Sequence, residues 1–197
     1  ASGVGLGSLL NEFVVAIVTS PRNISAVLVY AAPLVIVGLS AALAFKARFW
    51  NIGIEGQLIF GGIGATLVAN LDIGPPSLRL PLMAIFAMLG GMAWIALPLF
   101  LKLKLRISEI ISTLLLNYIA FNFLLHLLYG SWKDPQSAFP HSQIYDAAER
   151  LTAYSWLGLN LSAVIALMLI AISAWLLGAS RFGFILNFVH SNPTMSR

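Results

Sequence analysis

Five apolar blocks of about twenty residues run through this chain, at Ile24–Phe45, Ile52–Leu71, Leu80–Leu101, Ile107–Tyr129 and Leu157–Gly178. An α-helix needs roughly that length to cross a hydrocarbon core about 30 Å thick. Only two carboxylates fall inside the blocks, Glu55 and Glu109. Hydrophobic residues make up 59% of the 197 and charged residues 9%, too few polar side chains to cover the outside of a water-soluble fold. Strand-like alternation is absent, which argues against a barrel. The expected fold is therefore all-α, a polytopic transmembrane helix bundle with about five full spans plus a partial N-terminal helix. That partial element is the run Leu9–Thr19, which carries Asn11 and Glu12 and is too short to cross by itself. It reads as the end of an earlier helix in preference to an interfacial piece, because the chain opens on Ala1-Ser2-Gly3 without an initiator Met or a basic leader. The sequence is thus expected to be one transmembrane domain over 1–197, incomplete at both ends.

Several function classes drop out. The net charge of +4 comes from bases at the ends of apolar blocks, where they act as topology signals, and no basic stripe interleaved with aromatics points to nucleic acid. The lipid bilayer is the partner that composition requires. With no cysteine, disulfides and thiolate chemistry are excluded. His126 stands without a second ligand at metal spacing, so no metal site and no cofactor is expected. No phosphate loop, H-E-x-x-H or G-x-S-x-G occurs, so the chain has no Walker motif with which to hydrolyse ATP and no catalytic residue is assigned.

Lys and Arg set the orientation, since cytoplasmic loops are enriched in both. Lys46 and Arg48, then Lys102, Lys104 and Arg106, then Arg181 and Arg197 fall on one side if the spans alternate, and that side is expected to be the cytoplasm. Arg22, Arg79, Lys133 and Arg150 fall on the other. There, Asp72-Ile73-Gly74-Pro75-Pro76 reads as a tight turn, and 130–156 as a longer external loop with Trp132, Tyr145, Tyr154 and Trp156 at headgroup level. This loop is either an ordinary solvated connection or an external cap and docking surface.

Polar side chains inside apolar helices must face protein, water or solute. The stretch Asn51-Ile52-Gly53-Ile54-Glu55-Gly56-Gln57 gathers three of them at the start of a span. If helical, Asn51 and Glu55 share a face, while Gly53 and Gly56 permit close packing or local unwinding. An interhelical hydrogen-bond cluster and a solute path are equal readings of this stretch. Gly61, Ala65 and Ala69 have the small-xxx-small spacing of packed membrane helices. Glu109, Thr113 and Asn117 recur every fourth residue and form one stripe facing the bundle interior. Glu109 there complements a helix N-terminus. Asn117 either lines a path or ties helices together. The expected path residues are Asn51, Glu55, Gln57, Thr113 and Asn117.

Ala32-Pro33-Leu34, Gly38-Leu39, Ala42-Leu43-Ala44-Phe45 and the 51–57 stretch, together with Ser108 to Ile119, Trp132-Lys133-Asp134-Pro135 and Ser180-Arg181-Phe182-Gly183-Phe184, resemble a known family. It is that of permease subunits of bacterial nucleoside and simple-sugar ABC importers that work with basic-membrane-protein-type lipoproteins, in the branched-chain amino acid and ribose permease superfamily. The resemblance covers most of the chain and implies the N-terminal half of a type II importer permease in the cytoplasmic membrane. It also implies a second permease subunit, ATP-binding subunits that hydrolyse ATP, and an external solute-binding lipoprotein. A cytoplasmic coupling region is then expected over 179–197, with Arg181, Phe182, Gly183, Asn192 and Pro193 near the ATPase. The alternatives are an ion-coupled secondary transporter with Glu55 or Glu109 as proton carrier, and a non-transporting truncated remnant.

Overall fold

Every described element is helical, as chain buried in lipid requires, because helices satisfy their own backbone polar groups. The computed structural model describes residues 5–15, 19–151 and 161–191, with side chains through Leu186. The helices are α1 (Leu6–Leu10, continued by a π-helical turn at Asn11–Val15), α2 (Pro21–Lys46), α3 (Ile54–Asn70), α4 (Pro76–Leu105), α5 (Glu109–Tyr129), α6 (Leu161–Gly178) and α7 (Arg181–Ser191), with a 3₁₀ turn at Ala147–Glu149. Four of them, α2, α4, α5 and α6, are long and apolar enough to cross a membrane. The remaining expected span is α3, whose 17 residues rise about 26 Å, at the short end of the spanning range.

The chain divides into two compact units, 48–150 and the two flanking segments 1–47 and 151–197. In the flanking unit α2 packs on α6, and α7 folds back on α6. Proline opens α2 at Pro21, where its missing N–H costs nothing, and Pro33 lies within that helix.

In the central unit α3 packs most extensively on α4, and α5 on both. α4 is the longest helix at 30 residues, about 45 Å, with Pro81 and Pro98 inside it. Three non-glycine residues at the ends of central-unit segments adopt left-handed backbone: Arg48 (φ 56°), Asp72 (φ 54°) and Arg106 (φ 54°). Gly74 (φ 82°) completes the α3–α4 turn, where an L side chain would be strained.

Candidate functional site

The 51–57 stretch is a loop entering a helix. Gly53 (φ −89°, ψ 21°) is the N-cap of α3, so Asn51 precedes the helix and does not share a face with Glu55. Asn51 is buried. Its Oδ1 accepts from the Gly53 N–H at 3.1 Å and its Nδ2 donates to Gln57 Oε1 at 2.8 Å. A glycine cap has no side chain to satisfy the first free N–H groups of the helix. Asn117 on α5 supplies what is missing: its Oδ1 accepts from the Gly56 N–H at 2.9 Å, and its Nδ2 donates to the Ile52 carbonyl at 3.1 Å.

Glycines let α5 and α4 come this close. A Cβ on Gly53 would sit 2.7 Å from Thr113 Cβ, and one on Gly56 would sit 2.6 Å from Trp94 Nε1 and 2.9 Å from Asn117 Oδ1. Trp94 stacks on Phe60 with ring centroids 3.7 Å apart, and Phe60 in turn lies 5.5 Å from Phe123. Thr113 is buried, and its hydroxyl donates to the Glu109 carbonyl of its own helix at 2.6 Å. Along the α3–α4 crossing, Gly61 lies against Ala87, Gly64 against the Phe86 carbonyl and Gly90 against the Phe60 carbonyl. The close approach therefore runs through Gly61 and Gly64, one residue off the Gly61–Ala65 spacing; Ala65 is half-buried.

Of the expected path residues, Asn51, Gln57, Thr113 and Asn117 all have polar atoms engaged by the protein. Glu55, on the first turn of α3, is exposed and makes no hydrogen bond or ion pair among the described residues. It lines a groove of about 270 Å³ together with Leu114, Asn117, Tyr118 and Phe121. The structure thus brings Glu55 and Asn117 to one groove, in which the Glu55 carboxylate and the Tyr118 hydroxyl make no hydrogen bond among the described residues.

A family model described as the permease component of the branched-chain amino acid transport system matches residues 23–197. The chain belongs to this permease family. It is a multi-pass protein of the cell membrane. Similar proteins include a glucose ABC transporter permease protein of Haloferax volcanii, 32% identical over 91% of this chain and 50% of the relative. A guanosine ABC transporter permease protein of Bacillus subtilis is 32% identical over 84% of this chain and 48% of its own length. A nucleoside ABC transporter permease protein of Lactococcus lactis is 28% identical over 90% and 51%. The chain spans about half the length of these relatives. No solved structure matches it.

Two charged clusters of this permease-family chain frame the central unit. Near one end, Lys102 Nζ meets Glu109 Oε1 at 2.6 Å, donates to the Arg48 carbonyl at 3.0 Å and lies 5.1 Å from the Phe49 ring centroid. Glu109 is therefore ion-paired as well as placed in the first turn of α5. At the Asp72 end, Arg79 is a residue that sequence reasoning left as a plain topology charge. Its side chain is 9% exposed and pairs with Glu149, 6% exposed, at 2.9 Å and with Asp72 at 2.7 Å. It also donates to the Gly74 carbonyl at 3.1 Å. Glu149 Oε2 accepts from the Asp146 N–H at 2.9 Å, and the Tyr145 and Thr66 hydroxyls meet at 2.6 Å. The segment after α5 is thereby fastened to the ends of α3 and α4. The only sequence signal for this was an arginine inside the first turn of an apolar helix.

In the flanking unit the permease-family segment Ser180–Phe184 forms a tight α6–α7 corner. Ser180 Oγ accepts from the Gly183 N–H at 3.1 Å, capping α7. Gly183 is buried against the Leu176 and Leu177 carbonyls, while Arg181 and Phe182 are exposed. Asn192 and Pro193 lie outside the described residues.

Proposed function

We propose that this chain is part of the permease subunit of an ABC importer that moves nucleosides or related simple sugars across the cell membrane. The observation that carries this reading is the groove at the start of α3, where Glu55 stands free beside Tyr118 and Phe121 while Asn117 holds the glycine-rich entry in place. An unpaired carboxylate is costly against lipid, so this face belongs to a water-filled path or a protein contact. Family membership and relatives named as nucleoside and glucose permeases fit that use.

The working importer would add a second permease subunit, an external solute-binding lipoprotein and ATP-binding subunits that carry out the hydrolysis. The exposed Arg181 and Phe182 on α7 are proposed to meet the ATP-binding subunit, and Asn192 and Pro193 are proposed for the same role. The path is proposed to pass Glu55, with Asn51, Gln57, Thr113 and Asn117 shaping its wall.

Uptake of labelled nucleosides and labelled ribose in cells producing the complex, with this chain present and deleted, tests the reading. Nucleoside uptake that requires the chain and ATP supports it. Uptake that collapses with the proton gradient while ATP is maintained would assign Glu55 to proton coupling instead, and uptake that ignores the chain would make it a non-transporting remnant.

A further inference from the structure

The groove beside Glu55 continues along its helices toward the 130–150 segment. Helical period puts Ile59, Gly62 and Thr66 on the Glu55 face of α3, and Leu124 and Leu128 on the Phe121 face of α5. These five residues line a second stretch of about 450 Å³, which is largely apolar and ends at Trp132. From Glu55 to Thr66 the helix rises about 16 Å. Beyond that end lies a larger pocket of about 540 Å³, to which Asn70, Lys133, Gln143 and Asp146 contribute polar groups.

Little separates the apolar groove from the polar pocket. Trp132 lines both. Thr66 lines the groove, Tyr145 lines the pocket, and their hydroxyls meet at 2.6 Å. The Thr66 proton goes to the Gly62 carbonyl at 2.8 Å, so in this pair Tyr145 donates and Thr66 accepts. The segment that carries Tyr145 is held at both ends, by the Trp132 N–H on the Leu127 carbonyl at 2.9 Å and by Glu149 on Arg79. A neutral hydrogen bond adds little net stability against water, so the contact between those ends can break while they stay fixed. We propose, within the importer reading on which this inference rests, that Trp132 and the Tyr145–Thr66 pair form the gate at the external end of the solute path. Breaking the pair joins pocket and groove into one aqueous route toward Glu55.

The gate is tested in the assembled importer reconstituted in proteoliposomes, where this chain brings no cysteine of its own. Gly62→Cys places a thiol in the groove, at a site where a Cβ meets open space, and Asn70→Cys places one in the pocket. A membrane-impermeant cationic methanethiosulfonate, added from the side bearing Lys133, reacts only with thiols that water reaches. Without ATP, position 70 is expected to label fast and position 62 many times more slowly. Tyr145→Phe, and separately Trp132→Ala, is expected to speed labelling at position 62 several-fold, the scale of one lost hydrogen bond, and to leave position 70 unchanged. ATP together with the binding protein and labelled nucleosides is expected to speed position 62 as well, a change that a purely structural contact would not produce. Three results overturn the gate: equal labelling of the two positions without ATP, no labelling of position 62 in either variant or with ATP, and a rise of equal size at both positions. ATP-driven nucleoside uptake by the unsubstituted importer, measured alongside, would then leave the importer reading in place. Absence of that uptake overturns both readings.

Discussion

Asn117 caps a helix that is not its own. Its carboxamide oxygen receives the Gly56 N–H of α3 at 2.9 Å, across 61 residues of sequence, while its amide nitrogen holds the Ile52 carbonyl just before that helix begins. Substituting Asn117 by Leu leaves both backbone groups without their partner, at about 1–3 kcal/mol for each one left unsatisfied. The expected outcome is a lower unfolding temperature of the detergent-solubilised protein and loss of uptake with the protein still assembled in the membrane. Unaltered uptake by this variant would remove Asn117 from the wall of the path.

The α3–α4 crossing is expected to reject even a methyl group at specific places. A Cβ on Gly64 would run into the Phe86 carbonyl and one on Gly90 into the Phe60 carbonyl, whereas one on Gly62 would meet open space. Gly64→Ala and Gly90→Ala should each destabilise by about 1–3 kcal/mol, the usual cost of overpacking. Gly62→Ala should be neutral, or stabilising by up to about 1 kcal/mol from helix propensity. Thermal unfolding of the three single variants in one detergent separates these outcomes.

Lys102 and Glu109 form a pair half withdrawn from solvent, with Lys102 also holding the Arg48 carbonyl. A double-mutant cycle on Lys102→Met and Glu109→Gln should return a coupling of about 0.5–3 kcal/mol, as expected of residues in one hydrogen-bonded network. A coupling indistinguishable from zero would mean that the two side chains act independently.

Glu149→Ala should free the segment after α5. The substitution removes the carboxylate that joins Arg79 to the Asp146 backbone and leaves the arginine a weaker hold through Asp72 and Gly74. Local opening exposes backbone to protease, so trypsin added to the face bearing this segment should cut at Lys133 and Arg150 several times faster than in the wild type. Equal cleavage rates would show that the fastening lies elsewhere, with the Tyr145–Thr66 hydroxyl contact as the first suspect.

The membrane spans were legible because span length and apolarity are set by the bilayer itself, a constraint that acts along the chain. The Glu109–Thr113–Asn117 stripe was legible too, since helical period alone places these residues on one side of α5. The start of α3 was not. Apolar content suggested a span from Ile52, yet Gly53 caps the helix and Asn51 folds back to Gln57, a loop geometry that no period encodes. Small-residue spacing found Gly61, but the carbonyls of Phe60 and Phe86 decide the register of the crossing, and those belong to neighbours rather than to a motif. Arg79 was the least legible, because its partner Glu149 lies 70 residues away in a segment that reads as ordinary loop.

Asp72 and Arg106 turn the backbone into the left-handed region between helices of the central unit, and Arg48 does so where that unit begins, a conformation that costs L-residues about 1–2 kcal/mol and that glycine would adopt freely. A charged side chain at such a turn is also the group least able to enter hydrocarbon. Length and immersion depth are thus locked to the same residues: the chain ends its helix where it surfaces. Such an element has no low-cost way to slip through the bilayer by one turn, since sliding would drag a charge inward and lengthening would have to unwind the turn.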